Sequence, residues 1–150
     1  MKHAIVTGGS RGIGAACVAL LARQGYRVVF SYHKNEDAAN ALVALLGNEH
    51  VTALHADFAS AKSTQEFIAR AVEMLGTVDL LVNNACVAHF GLINDMTADE
   101  WDNLFAVNLR SMFLTSQGVI PTMLKKQAGA IINISSMWGQ VGASCEVAYS

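Results

Sequence analysis

Short apolar runs alternate along this chain with longer segments in which apolar residues recur every three or four positions. The runs predict five strands, over residues 4–6, 27–31, 51–55, 79–82 and 130–135. The longer segments predict helices over residues 13–24, 35–46, 60–75 and 97–126. We therefore expect an α/β fold with a doubly wound parallel sheet, helices on both faces and ligands outside the carboxyl ends of the strands.

Capping and turn residues mark where several of these helices begin and end. Asn35 can cap the second helix, and Gly47 can end it. Thr97 and Glu100 have the spacing of a capping box, which opens the long helical region through residue 126. Pro121 lies inside that region and is predicted to bend it, because proline has no amide hydrogen to donate.

Length and composition restrict the kind of protein. The chain has 150 residues, 53% of them hydrophobic, and no linker divides it, so residues 1–150 are predicted to form one domain. Ten Lys and Arg residues against 12 Asp and Glu residues, without a basic cluster, argue against a nucleic-acid partner. No apolar run approaches the ~20 residues of a membrane span and the start shows no signal peptide, so we expect no membrane partner and a cytoplasmic location. Cys17, Cys86 and Cys145 lack metal-binding spacing, which predicts reduced thiols and no metal site.

A glycine-rich turn follows the first strand directly, where a doubly wound sheet binds pyrophosphate. Its sequence is Thr7-Gly8-Gly9-Ser10-Arg11-Gly12-Ile13-Gly14. Gly8 can make the tight turn, Gly12 lets the backbone approach phosphates, and Gly14 lets the helix pack on the strand. Free amides at the helix N-terminus can bind the phosphates. The segment favours dinucleotide binding over a purely structural turn.

Two other nucleotide or hydrolase motifs must be weighed at the same turn. Residues 8–12 also satisfy G-x-S-x-G, the nucleophile elbow of α/β-hydrolases, with Ser10 as the nucleophile. That hypothesis needs an acid and then a histidine downstream, for which His89 is a candidate. A phosphate-binding Walker A loop is excluded, because no Lys-Ser/Thr pair follows Gly14.

The loop spacing Gly8-x-x-x-Gly12-x-Gly14 resembles that of the short-chain dehydrogenases/reductases. Four further features agree with this family and extend the resemblance over residues 4–149. They are His55-Ala56-Asp57-Phe58, Val82-Asn83-Asn84-Ala85, Asn108 in the long helical region, and Asn133-Ile134-Ser135-Ser136 together with Tyr149. The resemblance implies a Rossmann-type sheet and reduction of a ketone to a secondary alcohol with a nicotinamide coenzyme.

The resemblance also implies roles for individual residues. Asn108, Ser136 and Tyr149 match the catalytic positions, with Ser136 binding the carbonyl oxygen and Tyr149 transferring the proton. Asp57 matches the family aspartate that hydrogen-bonds the adenine. The complete set of expected coenzyme-binding residues is Thr7, Gly8, Ser10, Arg11, Gly12, Ile13, Gly14, Ser31, Lys34, Asp57, Asn84 and Ala85.

The end of the second strand bears on the choice of coenzyme. An NAD site places an acid there to bind the ribose 2′-OH, but Ser31-Tyr32-His33-Lys34 contains none. Arg11, Lys34 and the Ser31 hydroxyl could instead receive a 2′-phosphate. We therefore predict NADPH (NADP) as the cofactor.

The sequence departs from the family pattern in two places. The motif Y-x-x-x-K places a lysine four residues after the tyrosine, whereas this chain ends at Ser150, directly after Tyr149, and before the family's last two strands. We therefore expect residues 1–150 to be the N-terminal part of a longer reductase, truncated after the fifth strand, and we expect weak or no turnover from residues 1–150 alone. The alternative is a non-catalytic NADPH-binding or scaffold domain. Cys86 stands where the family has glycine.

Substrate and partners follow from narrower resemblances. The chain resembles 3-oxoacyl-acyl-carrier-protein reductases, which implies a small-molecule or carrier-bound ketone and an acyl carrier protein as partner. Residues 135–139 and 142–147 resemble reductases of the 5-aminopentanone group on elongation factor P, and Glu146 could favour such a cationic ketone. Residues 97–126 contain more large apolar side chains, Trp101 and Phe113 among them, than one sheet face requires. In the family that the chain resembles, such helices pair across subunits, which implies a homodimer or homotetramer.

Overall fold

Five parallel strands form a single sheet in the computed structural model, which describes residues 1–150. The strands are β1 (Lys2–Val6), β2 (Tyr26–Tyr32), β3 (Val51–His55), β4 (Leu80–Asn83) and β5 (Ala130–Asn133). Their order across the sheet is β3-β2-β1-β4-β5, so the strand order reverses at β1. A crevice forms at the carboxyl ends of β1 and β4, where such sheets bind ligands. The predicted Rossmann-type α/β sheet is confirmed.

Six α-helices and one π-helical turn connect and follow the strands. They are α1 (Gly12–Arg23), α2 (Glu36–Leu46), α3 (Ala61–Leu75), α4 (Ala98–Phe105), the π turn Ala106–Arg110, α5 (Ser111–Lys126) and α6 (Trp138–Val141). Asn35 caps α2 by accepting a hydrogen bond from the amide of Ala38, and Thr97 and Glu100 form the predicted capping box on α4. None of the helices has the length and apolar character that crossing a bilayer requires.

The core has two layers because successive strand residues point to opposite faces of the sheet. Ile5 of β1 is fully buried on one face, among the side chains of α3 and Val119 of α5. Val6, the next residue, is fully buried on the other face with Val18 of α1 and Phe30 of β2. Both faces are covered, which explains why the central strands are continuous apolar runs rather than alternating ones.

The long helical region departs from its prediction. It was predicted as a long helical region with a bend at Pro121. In the structure Pro121 lies inside α5, and the α-helical pattern is interrupted earlier, at Ala106–Arg110. The π turn carries Asn108, whose side chain bonds to a neighbouring loop. β5 is two residues shorter than expected, and the short helix α6 was not predicted.

Asp79, directly before β4, holds the amino-terminal edge of the sheet together. Its Oδ2 accepts a hydrogen bond from the amide of His3 at 2.8 Å, and its Oδ1 accepts one from Lys126 at the end of α5. Partial burial acts to raise the pKa of Asp79, but the hydrogen bonds from Lys126 and His3 outweigh it and hold the pKa below its ordinary value. The ionised carboxylate therefore stabilises the fold.

Candidate functional site

A cleft of about 750 Å³ lies at the carboxyl ends of β1 to β4. Ten of the twelve residues expected to bind a coenzyme line it: Gly8, Ser10, Arg11, Gly12, Ile13, Ser31, Lys34, Asp57, Asn84 and Ala85. The other two, Thr7 and Gly14, do not line the cleft but contact residues that do. The Thr7 hydroxyl bonds to Asn84 and Ala85, and Gly14 packs against the carbonyl oxygen of Gly8. The structure thus brings together side chains from four strand ends that are far apart in the sequence.

Gly8 and Gly14 of the glycine loop require glycine for different reasons. Gly8 has a φ of +66°, and a Cβ there would lie 3.0 Å from the Cα of Ala85. Gly14 has ordinary backbone angles, but a Cβ there would lie 2.2 Å from the carbonyl oxygen of Gly8. The first glycine allows the left-handed turn, and the second allows α1 to start directly against that turn.

Thr7 and Asn84 join the end of β1 to the end of β4. The Thr7 hydroxyl accepts hydrogen bonds from the amides of Asn84 and Ala85, at 2.9 and 3.0 Å. In return, the Asn84 carboxamide donates to the carbonyl oxygens of Thr7 and Gly8, at 3.0 and 3.1 Å. These four bonds fix the floor of the cleft before any ligand is bound.

Ser31 supports the loop from β2. Its hydroxyl oxygen accepts a hydrogen bond from the amide of Gly8 at 2.8 Å, and its carbonyl oxygen accepts one from the amide of Gly9. The residue is only 1% exposed, although it lines the cleft. The Ser31 hydroxyl therefore has a role in shaping the loop that the sequence did not indicate.

The mouth of the cleft is rich in unused hydrogen-bond donors and positive charge. The amides of residues 12–14 donate no hydrogen bond, because they begin α1 and the Arg11 side chain does not cap it. Arg11 and Lys34 are both exposed and neither forms an ion pair. Open amides and free cations together make a site suited to phosphate groups.

Asp57 forms the opposite side of the cleft, after β3. Its Oδ1 accepts a hydrogen bond from the amide of Ala59 at 3.0 Å, and its amide donates to the Ser63 hydroxyl at 2.9 Å. The Nε2 atom of His33 lies 4.0 Å from the same Oδ1. His33 was not among the expected binding residues, although its position at the end of the second strand, next to Lys34, was visible in the sequence.

Asn108 joins the π turn to the loop after β4. Its Oδ1 accepts a hydrogen bond from the amide of Val87 at 2.9 Å, and its Nδ2 donates to the carbonyl oxygen of Val87 at 2.8 Å. Val87 and the exposed Cys86 line the cleft, whereas Asn108 does not. Asn108 thus positions the cleft wall through a neighbouring backbone.

Buried Asn83 links the last two strands to α5. Its Oδ1 accepts a hydrogen bond from Thr115 at 2.7 Å, and its Nδ2 donates to the Asn133 carboxamide at 2.9 Å. The Asn83 carbonyl accepts from the amide of Ile134. This network, which the sequence analysis missed, fixes the chain two residues before Ser136.

Ser136 and Tyr149 lie in the segment that follows β5, outside the lining of the cleft. The Ser136 hydroxyl oxygen accepts a hydrogen bond from the amide of Trp138, at the start of α6, at 3.2 Å. Glu146 and Tyr149 are half-buried in the turns after α6. The amide of Gly91 donates to the carbonyl of Cys145 at 2.7 Å, which ties this segment to the loop after β4.

The serine of the alternative hydrolase motif has no catalytic partner. Ser10 lines the cleft, but its hydroxyl forms no hydrogen bond with a histidine or a carboxylate. His89 instead lies against Gly91, at 3.1 Å from the position a Cβ there would take. The nucleophile–base pair that ester hydrolysis requires is therefore not assembled.

Comparison with known proteins agrees with this geometry. The chain is 39% identical over 143 residues to the 3-oxoacyl-[acyl-carrier-protein] reductase FabG of Staphylococcus epidermidis, covering 94% of this chain and 59% of that protein. It is also 39% identical to the acetoacetyl-CoA reductase of Shinella zoogloeoides, covering 99% of this chain and 61% of that protein. The chain thus spans about three fifths of the length of these curated relatives.

A solved structure and a family model complete the comparison. Acetoin dehydrogenase YohF from Salmonella typhimurium superimposes with a TM-score of 0.93 at 32% identity, over 99% of this chain and 60% of that one. Residues 2–150 match the sequence model of a family described as short chain dehydrogenase. On this match and this fold, the chain belongs to the short-chain dehydrogenase family.

Proposed function

We propose that the protein takes part in the NADPH-dependent reduction of a ketone to a secondary alcohol. The observation that carries the proposal is the cleft, where the uncapped start of α1 and the unpaired side chains of Arg11 and Lys34 meet. A pyrophosphate fits the open amides of residues 12–14, because these donors point outward from the positive end of the helix. Asp57, across the cleft, is the candidate partner of the adenine.

The charge at the end of β2 supports NADPH rather than NADH. An NAD site needs a carboxylate there to accept hydrogen bonds from the ribose hydroxyls. Glu36, the nearest acid along the chain, accepts a hydrogen bond from the Tyr32 hydroxyl at 3.2 Å and does not line the cleft. Arg11 and Lys34 remain free to bind a 2′-phosphate.

Bound NADPH would supply the hydride. We assign the polar half of the reaction to Ser136 and Tyr149: the Ser136 hydroxyl donates a hydrogen bond to the ketone oxygen, and the Tyr149 hydroxyl gives up its proton as that oxygen becomes an alkoxide. Asn108 is a positioning residue, because it holds the backbone of Val87 in the cleft wall. Under the non-catalytic scaffold hypothesis the cleft also binds NADPH, but the hydroxyls of Ser136 and Tyr149 take no part in a reaction.

A 3-oxoacyl thioester is the proposed substrate class, because two relatives are named for the reduction of 3-oxoacyl-[acyl-carrier-protein] and acetoacetyl-CoA. The aminoketone on elongation factor P is the second candidate. It rests on Glu146, whose half-buried carboxylate forms no ion pair and could accept a cationic substrate. Comparing kcat/KM for an acetoacetyl thioester and an aminoketone, in wild type and Glu146→Gln, separates the two.

Self-association is part of the proposal. Several large apolar side chains remain exposed along α4 and α5, notably Phe113 at 61% and Leu124 at 71%. Exposed apolar side chains in such number are typical of a protein interface. We propose a homodimer or homotetramer, which light scattering coupled to size-exclusion chromatography would detect; a monomer would reject it.

Coenzyme binding is the first test. Calorimetric titration should detect NADPH binding, and Arg11→Ala or Lys34→Ala should each weaken that binding by about 10- to 100-fold, as expected for the loss of one charge-assisted hydrogen bond. Arg23→Ala, at the far end of α1, is the matched control and should change little. Absence of heat with either nicotinamide coenzyme would contradict the proposal.

Turnover is the second test. Oxidation of NADPH in the presence of acetoacetyl-CoA should fall by about 10²–10⁴-fold in Tyr149→Phe. Tyr26→Phe, at the amino end of β2, is the control and should keep the wild-type rate. Coenzyme binding without turnover of any ketone would favour the scaffold hypothesis if it is also found in a version of the chain extended to include the lysine of the Y-x-x-x-K motif.

A further inference from the structure

The π turn Ala106–Arg110 bonds to two loops of the cleft whose strands, β3 and β4, are separated in the sheet by β2 and β1. Asn108 accepts a hydrogen bond from the amide of Val87 and donates one to its carbonyl oxygen, in the loop after β4. The guanidinium of Arg110 donates a hydrogen bond to the carbonyl oxygen of Ala59, in the loop after β3. Val87 and Ala59 both line the cleft. One helical turn therefore holds the backbone of two separate cleft loops.

The order of residues in the π turn explains how it reaches both loops. Val107 of this turn lines the cleft itself. Helical residues one and three positions after Val107 lie on either side of it around the helix, because roughly four residues complete one turn. Asn108 is thus directed to one side of the cleft and Arg110 to the other, in agreement with their hydrogen bonds.

Ala59 connects the Arg110 guanidinium to the carboxylate on the far side of the cleft. Its amide donates a hydrogen bond to Oδ1 of Asp57 at 3.0 Å, while its carbonyl oxygen accepts the one from Arg110. Arg110 is exposed and forms no ion pair, so its charge strengthens this hydrogen bond. Because the side chain is exposed, its removal would release the Ala59 carbonyl without opening a cavity in the core.

We propose that Arg110 is a positioning residue that joins these two loops, so that a nucleotide bound beside Asp57 also restrains the cleft wall at Cys86. The inference rests on the proposed function, because it requires a nucleotide in this cleft. A ligand that holds the Asp57 carboxylate also holds Ala59, and Arg110 passes that restraint to the π turn. Asn108, in the same turn, passes it to the loop that carries Cys86. Hydrogen bonds between rigid elements can carry such coupling.

Cys86 provides the measurement, because its exposed thiol lines the cleft next to Val87. Its alkylation by iodoacetamide is followed by peptide mass spectrometry, with and without adenosine 2′,5′-bisphosphate, which has the adenine end of NADPH but no nicotinamide. Each protein receives a saturating amount, set from its own dissociation constant. The nucleotide should slow alkylation of Cys86 by about fivefold in wild type, the lower range for coupled sites, and by less than about twofold in Arg110→Met.

Controls separate the coupling from direct shielding of the thiol by the nucleotide. Direct shielding would be the same in wild type and Arg110→Met, so only the difference between them is interpreted. Arg110→Lys keeps a cation that can donate to the Ala59 carbonyl, and it should restore most of the protection. Arg70→Met removes an exposed arginine that pairs with Glu73 on α3 and does not line the cleft, and it should behave as wild type.

A second variant tests the other end of the same connection. Asn108→Ser removes the hydrogen bonds to Val87 and should also lose the protection of Cys86 by bound nucleotide. Urea unfolding shows whether each variant is folded. If Arg110→Met is not folded, Asn108→Ser decides the proposal, and full protection in that variant would refute it.

The outcomes distinguish this proposal from the proposed function. If neither NADPH nor the bisphosphate binds wild type, the proposed function fails. If NADPH binds but the bisphosphate slows alkylation equally in wild type and Arg110→Met, or in neither, the role of Arg110 is refuted. Weaker nucleotide binding in Arg110→Met with unchanged protection of Cys86 would also refute it, because Arg110 would then support the loop after β3 alone.

Discussion

The Thr7 hydroxyl accepts a hydrogen bond from the backbone amide of Asn84, while the Asn84 side chain donates one back to the Thr7 carbonyl. The two bonds measure 2.9 and 3.0 Å and join adjacent strand ends. The amide of Ala85 also donates to the Thr7 hydroxyl, so one oxygen accepts hydrogen bonds from two successive amides. Thr7 itself is only 4% exposed. A side chain without a hydroxyl would leave both amides without partners.

Replacing Thr7 by valine should therefore destabilise the protein strongly for so small a change. Valine preserves the volume but removes the acceptor, and each unsatisfied buried amide costs about 1–3 kcal/mol. We expect Thr7→Val to lower the free energy of unfolding by at least about 2 kcal/mol. Thr7→Ser, which keeps the hydroxyl, should lose less than half of that. Urea unfolding measures both, and equal losses would contradict the role given to the hydroxyl.

The loss of stability caused by alanine substitutions in the glycine loop should depend more on the steric clash of the new Cβ than on the backbone angle of the position. Gly12 has a φ of +55° but open space around it, so Gly12→Ala should cost about 1–2 kcal/mol. The Cβ of Gly14→Ala would lie 2.2 Å from the Gly8 carbonyl oxygen, and α1 would have to move away from β1. We expect Gly14→Ala to unfold at a lower urea concentration than Gly12→Ala. The reverse order would show that the loop accommodates the clash.

Exchange of Asn108 for aspartate should weaken the loop after β4. Aspartate cannot donate to the Val87 carbonyl, and it places a negative oxygen against that carbonyl. A loss of about 1–3 kcal/mol in the free energy of unfolding is expected. Asn40→Asp makes the same chemical change at an exposed position of α2 and serves as the control. Similar midpoints of thermal unfolding for the two variants would remove Asn108 from its positioning role.

Asp79 should make stability depend on pH in the acid range. Its folded-state pKa is lowered, so its contribution is fully present above the unfolded value of about 3.9 and is lost as pH falls through the folded value. Asp79→Asn should reduce the free energy of unfolding at neutral pH by about 1–2 kcal/mol. It should also flatten the decline of stability below about pH 4. Urea unfolding at several pH values tests this, and parallel curves for variant and wild type would contradict it.

The pattern of apolar and polar residues predicted the sheet well, because the strand preference of its apolar runs agrees with their burial in the folded protein. The continuous apolar run of residues 4–6 is fully buried between the two helical layers. Asn35 and Thr97 cap their helices through contacts three residues away. Interactions of short range along the chain are those that a pattern can reveal.

Features that depend on distant contacts were not predictable. The π turn at Ala106–Arg110 accompanies a pair of hydrogen bonds from Asn108 to Val87, 21 residues earlier. The support that Ser31 gives to Gly8, and the approach of His33 to Asp57, likewise depend on strand register, which aligns β2 with β1 and β3. Such pairings are set by packing of the whole sheet rather than by local composition.

The bond from the Asn84 amide to Thr7 spans 77 positions of the chain. Closing so long a loop costs entropy that is recovered only when β4 has paired with β1. During synthesis, β1, β2 and β3 emerge before β4, and the glycine turn at that stage can be held by Ser31 of β2 but not by Asn84 after β4. Dinucleotide binding would therefore require β4 to be paired with β1. The onset of binding can then be used to measure when the sheet has finished folding.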